Sequence, residues 1–265
     1  MTGSIRWSAV DWPAADVSAR LAVHDAVVCV ATLHATDAEL ARVVRVLCPV
    51  EHDRFASYTN AVVARRFAMG RALLREIVGC ALGMAPDTVP LREGLHGKPA
   101  LAGSLARRPL WFSVAHCEDL LVVALSRTSD VGVDLERERA IEQWERVANR
   151  VLAPAGRAQL KRAVEDGEDP GPVFLRHWCR VEAELKAIGC GIVGLEDHRA
   201  GRRPFGLRLI DLDALPLPAS IAASGVRYHA ALALCAPGVE RARQSVLAPS
   251  HAARPTIAPA RASTA

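Results

Sequence analysis

The chain has 265 residues, 51% of them hydrophobic and 23% charged, enough for one large domain or two small ones around a packed core. No apolar run reaches the about 18 residues a membrane span needs, and the first twelve residues lack the basic start and apolar block of a signal peptide, so a soluble, non-exported protein is expected. The net charge of +4 misleads: residues 241–265 hold Arg241, Arg243, Arg254 and Arg261 and no acid, and setting these aside leaves 29 basic against 29 acidic residues, a neutral body that gives no support for nucleic-acid binding.

Seven cysteines are scattered, odd in number and never spaced as CxxC. That argues against a zinc site or a disulfide framework and for reduced thiols in a cytoplasm. Only Lys98, Lys161 and Lys186 are lysines, against 30 arginines. Where arginine supplies generic positive charge, a retained lysine points to a need for a compact ammonium. Lys161 sits in a polar helical stretch and reads as a solvated surface residue.

In chain order, residues 1–24 read as mixed and irregular around Trp7, Trp12 and Pro13. Residues 25–33 (DAVVCVATL) are β-branched and read as a buried strand. Thr36, with Glu39 three residues on, has the form of a helix N-cap. Leu40, Val43, Val44 and Leu47 follow at helical spacing, and Pro49 stops the run. A second long helix is predicted over 50–78, with Phe55, Phe67, Leu73, Leu74 and Ile77 as core residues. Its Arg65, Arg66, Arg71 and Arg75 form either a solvated face or an anion-binding edge. His96-Gly97-Lys98-Pro99 is a turn from which Lys98 projects. Residues 110–114, 120–126 and 130–136 are three short strands separated by turns, predicted to form an antiparallel meander.

The third of these, DVGVDLE, alternates Val131, Val133 and Leu135 with Gly132, Asp134 and Glu136. Residues two apart point to one side of a strand, so Asp134 and Glu136 share a face. Two adjacent carboxylates suit a hard cation such as Mg2+, which holds one or two carboxylates plus substrate phosphate; a half-exposed strand with two solvated acids reads the same way. Residues 141–164 are helical but interrupted at Pro154 and Gly156. After a polar turn, residues 173–188 form an amphipathic helix ended by Gly189. Glu182 and Lys186 are neighbours on one face of it, which an ordinary surface ion pair also explains. Residues 205–212 and 228–235 are strand-like. The Ala, Pro, Arg and Ser-rich stretch at 241–265 is expected to be a disordered tail.

GKP at 97–99, FSVAHC at 112–117, VGVDLE at 131–136 and WCRVEAELKAIGCGI at 178–192 form an ordered set. Together they resemble the 4'-phosphopantetheinyl transferases of the long, Sfp-like type, over roughly residues 25–235. The resemblance implies an α+β pseudo-dimer of two similar lobes, each a small antiparallel sheet packed with helices. The lobes would be residues 1–125 and 126–240, the second carrying the Mg2+ site. It implies transfer of 4'-phosphopantetheine from coenzyme A to a serine of an apo acyl or peptidyl carrier protein, giving 3',5'-ADP, by a cytoplasmic monomer that needs neither nucleic acid nor membrane. By the same resemblance Asp134, Glu136 and Glu182 hold Mg2+, Glu182 is the base and Lys186 reaches a phosphate. Lys98, His116 and Arg66 match coenzyme A-binding positions.

Two residues depart from the family pattern. Ala115 replaces a serine that usually helps bind phosphate, and Val181 replaces a lysine beside the metal ligand. These leave open a catalytically degenerate relative that binds coenzyme A or carriers as a regulator. An unrelated Mg2+-dependent phosphotransferase using the same carboxylates is the third reading.

Overall fold

The computed structural model describes residues 5–13, 16–94 and 96–236. In chain order these form β1 (Trp7–Asp11), α1 (Val17–Val23), β2 (Ala26–Thr32), α2 (Asp37–Val44), α3 (Pro49–Ser57), α4 (Ala61–Leu82), β3 (Leu91–Glu93), β4 (Pro99–Leu101), β5 (Trp111–Cys117) and β6 (Leu120–Ser126). They continue through β7 (Asp130–Arg137), α5 (Trp144–Val151), α6 (Pro154–Glu165), α7 (Pro170–Ile188), α8 (Leu195–Arg199), β8 (Arg208–Asp211), α9 (Ala219–Ala222) and β9 (Tyr228–Cys235). The expected tail at 241–265 lies outside the described residues.

Strands β2 and β6 are buried along nearly their whole length, so both their faces must be covered. Val27, Cys29 and Ala31, with Leu121, Val123 and Leu125, pack on Leu73, Ile77 and Val78 of α4. The alternate residues Val28, Val30, Leu120 and Val122 pack on Val131, Val133 and Leu135 of β7 and on Leu232 and Leu234 of β9. The far side of that second sheet meets α7 through Cys179, Ala183 and Ala187 against Ala231, Ala233 and Cys235. The result is four layers: α4, a sheet ordered β1-β2-β6-β5, a sheet ordered β7-β9-β8, and α7. A separate two-stranded sheet, β3-β4, carries the GKP turn. The class is α+β, and each main sheet is backed by one long helix.

Four expectations need correction. The irregular start is a strand and a helix, and β1 pairs with β2 in parallel, because α1 supplies the crossover that parallel neighbours require. The first sheet is therefore mixed rather than antiparallel. The helix predicted over 50–78 is two helices, since Asn60 breaks it by accepting from the N–H groups of Val62 and Val63, a side-chain N-cap. The meander stops at β6: β7 pairs with β9 in the other sheet.

The four arginines of α4 do not form a solvated face, because each is paired with an acid. Arg75 is 2% exposed and, with Arg71, grips the buried carboxylate of Glu51 at 2.7 Å each. Arg65 bonds Asp37 and Arg66 bonds Asp119. Other expectations stand. Thr36 and Glu39 form the capping box, and Lys161 is 75% exposed in a loose pair with Glu165. Among the described residues no helix is long and apolar enough to cross a membrane.

Helix α7 begins at Pro170, where a proline lacks only an N–H that the first turn leaves unbonded anyway, and ends at Gly189 with φ 74°. Its seat on the second sheet is set by Gly132. A Cβ there would lie 2.0 Å from the Ala183 carbonyl oxygen and 2.4 Å from Ala187 N, so the helix backbone rests directly on β7.

Candidate active site

Close seating of α7 on β7 brings two sets of side chains to one cleft of about 350 Å3. Strand β7 contributes Asp134 and Glu136, on the face opposite Val133 and Leu135. Helix α7 contributes Trp178, Glu182 and Lys186, one turn apart. The end of β5 supplies Ala115, His116 and Cys117.

Asp134 is buried, at 6% exposure, which corrects the reading of two solvated acids. Its Oδ1 accepts from Lys186 Nζ at 2.7 Å, whereas Oδ2 is buried with no hydrogen-bond partner. The Cys179 thiol, fully buried beside Asp134 and Glu136, donates to the His229 carbonyl at 3.2 Å. Burial, with these two acids next, pushes that thiol's pKa up, so it stays protonated. Glu136 accepts from Arg139 at 2.8 Å. The expected surface pair of Glu182 with Lys186 is not formed, because Lys186 is engaged by Asp134.

Glu182 has no hydrogen bond or ion pair among the described residues. Burial raises its pKa above the ordinary glutamate value; Lys186 opposes the shift, and Asp134 and Glu136 reinforce it. His116 shifts the other way. Burial first, then the charges of Lys186 and Arg66, lower its pKa and hold the ring neutral.

Five of the seven residues singled out from the sequence thus line the cleft: His116, Asp134, Glu136, Glu182 and Lys186. Arg66 instead lines a neighbouring cavity of about 480 Å3 with Arg65, His34 and Asp119. Lys98 does not line the cleft. Its turn, with Gly97 at φ 78°, stands near the end of α7, where a Cβ on Gly191 would meet His96 at 3.0 Å. Among the described residues no three His, Cys, Asp or Glu side chains converge closely enough to hold a metal ion as placed. The donor set nonetheless fits a hard cation: it is all carboxylate, and one buried oxygen of Asp134 has no partner.

Val181 does not face the cleft. It is 3% exposed, packed in the apolar cluster with Leu160 and Phe174, about 100° round the helix from Glu182. Its departure from the family pattern therefore removes no side chain from the cleft wall. Ala115 does line the cleft. Residue-type reasoning missed Arg139, Cys179 and Ser113. Only Ser113 left a signal, lying two residues from Ala115 and so on the same strand face.

A family model described as the 4'-phosphopantetheinyl transferase superfamily matches residues 130–220, covering the strand and helix that build the cleft. A second, for the N-terminal region of 4'-phosphopantetheinyl transferases, matches residues 32–128. The chain belongs to the 4'-phosphopantetheinyl transferase superfamily.

Among curated members of that superfamily, the 4'-phosphopantetheinyl transferase HetI of Nostoc sp. is 36% identical over 140 residues, which are 53% of this chain and 58% of that protein. A putative 4'-phosphopantetheinyl transferase of Synechocystis sp. is 33% identical over 144 residues, 54% of this chain and 57% of the relative. The L-aminoadipate-semialdehyde dehydrogenase-phosphopantetheinyl transferase of Xenopus laevis is 27% identical over 184 residues, 67% and 57% respectively. The chain thus spans a little over half the length of the curated relatives it matches.

Proposed function

We propose that this chain transfers 4'-phosphopantetheine from coenzyme A to a serine of an apo acyl or peptidyl carrier protein, releasing 3',5'-ADP. The observation that carries the reading is the meeting of Asp134, Glu136, Glu182, Lys186 and His116 in one cleft. Superfamily membership supports it, and so do the transferase activities by which the relatives are named.

In the proposed reaction the serine oxygen bonds to the phosphorus that carries pantetheine, and the bond from that phosphorus to 3',5'-ADP breaks. Glu182 takes the serine proton. Burial raises its pKa, which makes it a stronger base than a solvated carboxylate. Lys186 swings from Asp134 to a phosphate oxygen and stabilises developing charge there. His116, neutral and on the opposite wall, donates one ring N–H to another phosphate oxygen. Arg66 and Lys98 hold outlying parts of coenzyme A. Asp134, Glu136 and Glu182 would hold Mg2+, which supplies Lewis-acid neutralisation of the diphosphate. The proposal takes the lobes as 1–125 and 126–240, the protein as a cytoplasmic monomer, and the seven free thiols as its normal state.

Intact-protein mass spectrometry tests it. The full chain is mixed with Mg2+, coenzyme A and apo acyl- or peptidyl-carrier proteins. A gain of one phosphopantetheine on a carrier, abolished by EDTA, is expected. Folded protein that binds coenzyme A but modifies no carrier would overturn the transferase reading.

A further inference from the structure

Strand β7 is an outer strand of its sheet. Antiparallel neighbours bond through alternate residues. At the end of the β7–β9 pairing Glu138 N–H donates to Arg227 O, so the even-numbered residues of β7 bond toward β9. The N–H groups of Val133, Leu135 and Arg137 therefore point the other way, out of the sheet. Strand β5, itself the last strand of the other sheet, lies along that edge without forming a backbone ladder to it. Its side chains take over. Val133 N–H donates to Ser113 Oγ at 3.1 Å, and Arg137 N–H to Cys117 Sγ at 3.4 Å.

The spacing is regular. Ser113 and Cys117 are four residues apart on one face of β5, and Val133 and Arg137 are four apart on β7. Ser113 is 1% exposed, so its bond is shielded from competing water. Midway, Ala115 stands at the level of Leu135, and its methyl offers no acceptor. The two rungs bracket Asp134 and Glu136 and tie them to the strand that carries His116.

We propose that Ser113 and Cys117 are positioning residues: side-chain acceptors that hold the open edge of β7 and so set Asp134 and Glu136 against His116. Position 115 is the middle rung of the same ladder, empty in this chain. The consequence for cation binding rests on the function proposed above; the ladder itself does not.

Amide hydrogen exchange on the full chain reads the ladder directly. Ser113→Ala and Cys117→Ala should speed exchange at Val133 and Arg137 respectively by about tenfold, the effect of removing a buried acceptor. Ser113→Cys and Cys117→Ser, which keep an acceptor, should restore slow exchange. Ala115→Ser should slow exchange at Leu135 alone. Calorimetry with Mn2+ then reads positioning. Both alanine variants should bind several-fold more weakly and the acceptor-keeping variants normally, whereas Leu47→Ala, which loosens the apolar cluster on the far part of α4, should not change the affinity.

Unchanged exchange in both alanine variants would dismiss the ladder whatever the reaction is. Fast exchange with unaltered Mn2+ affinity would reduce it to a structural tie and overturn the positioning role. If the unaltered protein bound no Mn2+, the cation reading would fall and take the positioning role with it, while the exchange result would still judge the ladder. Exchange at Leu135 unaffected by Ala115→Ser would remove the middle rung.

Discussion

The two sides of α7 handle charge in opposite ways. On the side turned from the cleft, Arg180 pairs with Asp211 through both guanidinium arms. The buried Glu184 sits between His198 at 3.2 Å and Arg203 at 2.9 Å. His177 there is driven neutral by burial, its pKa lowered to about 4. On the cleft side three carboxylates share one lysine and one arginine, Glu182 has no partner among the described residues, and an oxygen of Asp134 is buried without a hydrogen bond. One helix thus carries a side on which each carboxylate has a basic partner within 3.2 Å and a side on which Glu182 has none among the described residues. A carboxylate without a partner is what a cationic or proton-bearing ligand can satisfy; the paired side has only stability to offer.

Substitutions on the two sides should therefore fail differently. The largest effect is expected from Glu182→Gln: transfer should fall by about 10²–10⁴-fold, the range for a lost general base, measured as carrier modification per folded molecule. The same variant should be more stable than the parent at neutral pH. A carboxyl with a raised folded pKa binds its proton more tightly folded than unfolded, so its contribution to stability declines as pH climbs from the ordinary glutamate value through the folded one. Glutamine does not titrate and escapes that decline. A melting temperature that drops in Glu182→Gln would deny that the cleft side is strained.

Glu184→Ala should do the reverse. It leaves His198 and Arg203 without their shared acid, and denaturant unfolding should show a loss of about 3 kcal/mol, the lower end for a broken buried pair because Arg203 is half exposed. Transfer per folded molecule should survive. Val181→Lys, which restores the family residue, should cost about 1–3 kcal/mol by placing an ammonium at an apolar, 3%-exposed position. It should not raise the transfer rate; a rate gain would show that position 181 reaches the cleft after all. Lys161→Ala should change stability by less than about 0.5 kcal/mol, since its pair is solvent-exposed on both sides.

Much of this was legible in the residues alone. The alternation in DVGVDLE assigns Asp134 and Glu136 to one face, and the stepping of Trp178, Glu182 and Lys186 along a helix is as regular as any in the chain. What periodicity cannot supply is pairing. Nothing in residues 110–136 says that β7 leaves β6 for β9, because a turn of three residues permits either choice and the partner lies almost a hundred residues on. The four arginines of α4 illustrate the same limit: their spacing is visible, but Glu51, Asp37 and Asp119 come from three other segments. Val181 adjoins Glu182 in sequence, but the helix turns it about 100° away and into an apolar cluster, a placement that adjacency alone does not reveal.

Gly132 acts as a spacer between β7 and α7. A missing side chain sets how far apart strand and helix stand, so the gap across which Asp134 reaches Lys186 is a property of two backbones in contact. Rotamers can be retuned by a neighbour's mutation, whereas a spacer inserted between main chains can be removed only by reverting it. In a mutational scan scored for transfer, position 132 should be as intolerant as the carboxylates although it touches no reacting atom. No second-site change should rescue it.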